Sequence, residues 1–193
     1  MTENKCDECG QVFASKELLM EHAKMHMSKA KIGFGARKTI ISSIIGGIIG
    51  GILMLLVLMA GAAGMGLPAT TFALVMGMGL GAPMGSAVMV GVFGHFTVSI
   101  VAGAIFGAIV SYVKPLKLRN VSKSLGLGVV FAIVVYLVFF LPMAMTVFAS
   151  VMMNIMGAKA AMMLPDVLAI GFIGHLLYGL ALGAITFGIS RKL

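Results

Sequence analysis

The sequence predicts an all-α membrane protein: four transmembrane helices in two parallel repeats, with short re-entrant or interfacial outer segments, preceded by a small ββα head. Three observations carry this. The 193 residues are 60% hydrophobic with a mean hydropathy of +1.11, above the roughly half that is usual in soluble domains. No charged residue occurs from 39 to 113, and about 20 apolar residues suffice to cross a hydrocarbon core. A motif also recurs. Gly94-His95 is followed, eight residues after the histidine, by Gly103-Ala104-Ile105, and Gly174-His175 by Gly183-Ala184-Ile185 at the same distance.

Charge is segregated. Five of the six acids (Glu3, Asp7, Glu8, Glu17 and Glu21) fall in the first 21 residues, leaving Asp166 alone in the rest. The net charge of +8 therefore averages a slightly acidic head and a basic remainder. The basic residues cluster beside apolar runs, as on the cytoplasmic face of a bilayer. The first apolar run begins near Thr39, behind the charged head, so no signal peptide is expected.

The head comprises residues 1–27. Two residues separate Cys6 from Cys9, twelve separate Cys9 from His22, and three separate His22 from His26. Two thiolates and two imidazoles form the closed tetrahedral shell of structural zinc. So short a segment cannot bury enough surface to fold unaided, and metal binding would supply the folding free energy, about 10–16 kcal/mol in comparable peptides. Phe13 and Leu19 stand where a small ββα unit needs apolar plugs. Over residues 6–26 the pattern resembles the C2H2 zinc finger family without departure at ligands or core, which implies zinc on Cys6, Cys9, His22 and His26.

The same resemblance places the base-reading positions at Ser15, Leu18 and Glu21. None is the Arg, Lys, Asn or Gln of bidentate base contacts. Three lysines against five acids in 1–27 is the wrong sign for phosphate, and one finger covers only about three base pairs. A protein-binding or structural module is expected rather than a nucleic-acid reader. Thiolate ligands favour a reducing compartment, which puts the N-terminus in the cytosol.

Residues 28–38 form a basic juxtamembrane linker with Lys29, Lys31, Arg37 and Lys38, made pliable by Gly33 and Gly35. It is read as a topology signal. The membrane domain, 39–193, contains spans at 39–63, at 86–112, from after Lys123 to about Leu141 where Pro142 interrupts, and at 166–190. Repeat one covers about 39–113 and repeat two about 121–190. The connections, 64–85 and 142–165, are apolar and each opens with a Leu-Pro pair, Leu67-Pro68 and Leu141-Pro142. A helix over 68–82 would span about 22 Å, short of the roughly 30 Å core. Pro165-Asp166 reads as a helix start. With four spans, Lys114, Lys117, Arg119, Lys123, Arg191 and Lys192 share the cytoplasmic side with both termini, and only Lys159 and Asp166 face out.

His95 and His175 hold equivalent places in the two repeats, and an ionisable residue within a membrane span is a candidate functional site. Three readings stay open: neutral imidazoles bonded to Thr97, Ser99 or Tyr178; metal ligands; or axial ligands of a haem. Eleven methionines fall in the two outer connections, and Met152 and Met156 lie one helical turn apart. Thioethers select Cu(I), so His95, His175, Met152 and Met156 make a second candidate metal site. The methionine pairs and close glycines are similar to those of high-affinity copper transporters, although the span count differs. Methionine also fills irregular apolar gaps. In the last helix His175, Tyr178, Gly179 and Gly183 resemble a His-x-x-Tyr-Gly motif of uncharacterised prokaryotic membrane proteins. A single finger fused to membrane helices is similar to archaeal proteins. Neither likeness implies a function.

No nucleophilic Ser/His/Asp or Cys/His set, phosphate loop or carboxylate pair is present, so no enzyme is expected. The leading expectation is a multi-pass cell-membrane protein whose cytosolic finger binds a cytosolic or membrane protein partner, as an accessory subunit or homo-oligomer. The alternatives are a copper transporter or sensor and a membrane-tethered DNA-binding regulator.

Overall fold

A computed structural model of the chain describes residues 4–7, 9–118 and 120–191, with the backbone alone at 26–34. Two compact units divide it, Met1–Lys38 and Thr39–Leu193.

In the first unit β1 (Asn4–Lys5) pairs antiparallel with β2 (Val12–Phe13), Asn4 opposite Phe13 and Lys5 opposite Val12. The connecting turn closes through Cys6 N–H to Gln11 O and Gly10 N–H to Cys6 O, both 2.8 Å. Gly10 sits at φ +76°, where a side chain would crowd its own backbone. Helix α1 (Lys16–Gly64) starts after Ser15, whose Oγ accepts the Leu18 N–H at 3.3 Å as an N-cap. Glu17 in the first turn complements the positive end of the helix dipole. The backbone is helical through 28–38, where a glycine-softened linker was expected. No proline interrupts this stretch, and each glycine costs a helix only about 1 kcal/mol.

The second unit also contains α2 (Thr71–Gly79), α3 (Met84–Tyr112), α4 (Val121–Val135), α5 (Leu141–Met143), α6 (Ala149–Met156) and α7 (Lys159–Ser190). Four helices among the described residues are long and apolar enough to cross a membrane: Gly35–Gly64, Met84–Tyr112, Val121–Met156 and Lys159–Ser190. The first connection holds a short helix, α2, as expected. Two boundaries differ from the expectation. Pro142 does not end the third span, because π turns at Tyr136–Phe140 and Ala144–Phe148 flank it. Widened turns accommodate a ring that would otherwise strike the carbonyl four residues back. Thr146 Oγ1 donates to Pro142 O at 2.7 Å, side-chain support of the kind that lets proline persist in membrane helices. Nor does Pro165-Asp166 start the fourth helix, since Pro165 lies inside α7. The chain turns earlier, at Gly157 with φ +62°.

The π turns explain a spacing in the sequence. Ser124, Gly128, Ala132, Tyr136, Phe140, Ala144, Phe148 and Met152 are all buried at intervals of four. A regular α-helix would rotate such a stripe by about 40° per step. Widened turns absorb part of that drift and keep the aromatic half of the stripe inside. Similar stripes line α3 (Ala87, Gly91, Ser99, Gly103, Gly107, Ser111) and α7 (Val167, Gly171, His175, Gly179, Gly183, Phe187). Rows at i±4 interdigitate in the commonest class of helix packing, and small residues along them let backbones touch.

The touching is literal. A Cβ on Gly103 would lie 2.5 Å from Ser43 O, and one on Gly47 would lie 2.5 Å from Ser99 O and 3.2 Å from the Gly103 Cα. On the other pair, a Cβ on Gly183 would collide with Ser124 O and one on Gly128 with Gly179 O. Helix α1 also meets α7, where a Cβ on Gly46 would lie 3.1 Å from Leu182 O and one on Gly50 2.9 Å from the Tyr178 ring. Between α3 and α4 the contact is made by bulk instead, with the Phe106 and Phe131 rings 5.4 Å apart. Helix α2 packs on α3, with Gly77 and Gly91 admitting the carbonyls of Ala87 and Ala73. Exposed Ile45, Ile49, Val98, Ile105, Val130, Val134, Ile173 and Leu177 cover the outside, the composition of a lipid-facing surface.

Candidate metal centre

The hairpin and the first turns of α1 bring three donors together. The ligand atoms of Cys6, Cys9 and His22 all lie within 4.8 Å of one another, and Cys9 Sγ stands 3.1 Å from His22 Nε2. Around a tetrahedral zinc with bonds of about 2.0–2.3 Å, neighbouring donors are separated by roughly 3.3–3.8 Å, so the donor types and spacing fit that ion. Cys6 is buried and Cys9 exposed. The Phe13 ring, 4.6 Å from the His22 ring, holds the imidazole from the strand side. The side chain of His26 lies outside the described residues. Of the three positions that the finger resemblance assigns to base reading, Ser15 is engaged in capping α1, while Leu18 (49% exposed) and Glu21 face solvent.

In the second unit each membrane histidine bonds a backbone carbonyl. His95 Nε2 donates to Gly51 O at 2.9 Å and His175 Nδ1 to Gly171 O at 2.7 Å. Those tautomers follow from the acceptor being a carbonyl. The expected partners bond elsewhere. Thr97 Oγ1 donates to Phe93 O, Ser99 Oγ to His95 O, and Tyr178 OH to Ser99 O at 2.9 Å across α7 and α3. Helical carbonyls are the nearest acceptors in an apolar bundle, and short hydroxyls find the one a turn back.

The two imidazoles bond different helices, His95 reaching α1 and His175 its own α7, yet they stand near enough to interact electrostatically. His95 faces α1 at Gly51, where a Cβ would lie in ordinary contact with Nε2 at 3.7 Å but would strike the Ser99 Oγ at 2.7 Å. His175, 6% exposed, lies against the rings of Tyr136 (5.3 Å) and Phe140 (5.1 Å). Met152 borders a cavity of about 10 Å³ with Met65, Leu67, Thr71, Phe72, Val75, Phe148 and Val167, and neither histidine is among its neighbours there. Met156 packs half-buried against the same apolar core.

Sequence reasoning passed over Tyr136 and Phe140, whose rings adjoin His175, and the buried hydroxyls of Ser43, Ser124 and Thr186. Thr186 Oγ1 bonds Ser43 Oγ at 3.2 Å and Ser124 Oγ bonds Gly183 O at 2.7 Å. The interval of four running through these positions was the available signal. No protein-family model, curated protein or solved structure matches the chain.

Proposed function

We propose that the chain is a non-enzymatic, multi-pass membrane protein whose N-terminal unit is a C2H2-type zinc finger serving as a protein-interaction or structural module, within a larger membrane complex. The observation that carries this is the convergence of Cys6, Cys9 and His22 on a hairpin-plus-helix frame, in a chain that also has four helices long enough to span a bilayer. His26 completes the ligand set by its spacing. Solvent-facing Leu18, Met20 and Met25 beside Glu17 and Glu21 suit a protein surface better than phosphate.

Two parallel repeats account for the packing. Ser43 and Ser124, and Gly47 and Gly128, stand 81 residues apart, and Gly103 and Gly183 stand 80 apart. The carbonyl of Ser43 meets Gly103 as that of Ser124 meets Gly183, and Gly47 meets the carbonyl of Ser99 as Gly128 meets that of Gly179. An even number of spans leaves both termini on one side. The cytoplasm is the side favoured by Lys114, Lys117, Lys123 and Arg191 at one end of the helices, against Lys159 and Asp166 at the other.

The test has two readouts on the full-length protein. Purified wild type should hold one zinc per chain, and Cys9→Ser should hold none. In native membranes wild type should migrate in an assembly larger than its own 20.1 kDa, and Cys9→Ser should release it. Zinc-free wild type defeats the metal assignment; an assembly indifferent to Cys9→Ser defeats the interaction role.

A further inference from the structure

The packing gathers every described cation of the second unit except Lys159 at one end. A Cβ on Gly107, near the end of α3, would lie 2.8 Å from the Ile40 Cα. Ser124, near the start of α4, bonds Gly183 near the end of α7, and Thr186 bonds Ser43. Residues 113–118, Asn120 with the start of α4, and the end of α7 are therefore neighbours. They carry Lys114, Lys117 and Arg191, all exposed, and half-buried Lys123. The only carboxylate side chain among the described residues of this unit, Asp166, lies toward the opposite end of α7.

The loop is built rather than slack. A 3₁₀ turn spans Lys114–Leu116, Lys123 Nζ donates to Pro115 O at 2.7 Å, and Asn120 Oδ1 caps α4 by accepting the Lys123 N–H at 2.8 Å. Leu118 packs on the core. Lys114 and Lys117 thus project from a fixed platform, and Arg191 is held with its guanidinium 5.2 Å from the Phe187 ring centroid. Around them stand exposed apolar groups: Tyr112 (65% exposed), Val113 and Val121. Cations interleaved with an aromatic and aliphatic collar at the ends of membrane-long helices match the headgroup level of a bilayer.

We propose that Lys114, Lys117 and Arg191 form a binding surface for anionic phospholipid headgroups. A soluble acidic partner would not use the collar of Tyr112, Val113 and Val121, whereas acyl chains beside the headgroup cover it. The inference rests on the membrane placement proposed above.

The test titrates detergent-purified full-length protein with equimolar phosphatidylglycerol and phosphatidylcholine and counts bound lipids by native mass spectrometry. At about 1 kcal/mol per basic residue near an anionic surface, the preference for phosphatidylglycerol should reach at least about tenfold. The triple variant Lys114→Gln/Lys117→Gln/Arg191→Gln should bring the ratio near unity, and Lys159→Gln at the other end should leave it unchanged. Should the triple variant misfold, salt on the wild type replaces it: about 0.5 M should collapse the preference. Equal retention of both lipids by wild type overturns the proposal, as does a preference that survives the triple variant or salt. Displacement of the lipid by inorganic phosphate also overturns it, by assigning the site to the free anion. Insertion of the chain into vesicles of both compositions without preference defeats this inference and leaves the membrane reading standing.

Discussion

Gly103→Ala tests the packing most directly. The new methyl would arrive 2.5 Å from Ser43 O and 3.2 Å from the Gly47 Cα, both backbone atoms. Real Cβ atoms essentially never come within 3.0 Å of such a group, so α1 and α3 must separate by roughly 0.5–1 Å. Overpacking of this kind costs about 1–3 kcal/mol. The separation also strains the Tyr178 hydroxyl bond to Ser99 O, one turn away on α3, and interhelical bonds in membranes contribute about 0.6 kcal/mol each. The expected loss is about 2–4 kcal/mol. Gly126 and Gly188 are the controls, since a Cβ at either meets nothing within 4 Å. There alanine should stabilise by about 0.5–1 kcal/mol through lost backbone freedom in the unfolded chain. Equilibrium unfolding in mixed micelles reads both. If Gly103→Ala proves as stable as Gly126→Ala, the helices do not approach as described and the argument from close glycine contacts fails.

Gly183→Ala should cost as much as Gly103→Ala within about 1 kcal/mol, because it meets Ser124 O as Gly103 meets Ser43 O; a much smaller cost in the same unfolding assay would weaken the duplication. Removing zinc with a chelator should abolish the folded amide signals of residues 4–25 while leaving the helical content of 39–191 intact, as metal-driven folding requires; signals that persist in the metal-free protein would contradict it. Tyr178→Phe should lower stability by about 0.6–1.7 kcal/mol, and no change would show that its bond to Ser99 O contributes nothing. A cysteine introduced at Lys117 should react with an impermeant maleimide only in inside-out vesicles; labelling in right-side-out vesicles would reverse the topology.

Much of this was legible along the chain. The four long apolar helices announce themselves by an uncharged run and by hydropathy, and the donor cluster by the spacing of Cys6, Cys9 and His22. Local spacing misled at the prolines. Pro142 reads as a helix breaker, yet the stripe from Ser124 to Met152 is buried at every fourth position. A proline's local cost of about 3 kcal/mol is outweighed when two widened turns bring Tyr136 and Phe140 onto His175 and Phe148 onto Phe140.

Composition, charge and spacing by themselves determined that the chain has membrane-length helices, a cation-rich loop, and thiol and imidazole donors close enough in sequence to meet. These follow from local rules, namely hydrophobic length, ligand spacing and the placement of lysine and arginine. Tertiary structure alone decided which carbonyl each histidine bonds, that Gly46 and Gly50 close one helix contact while Phe106 and Phe131 prop another, and that Met152 lies among aromatic and aliphatic side chains. Those outcomes depend on which backbones meet, and a glycine records only that an approach is allowed, not which helix makes it.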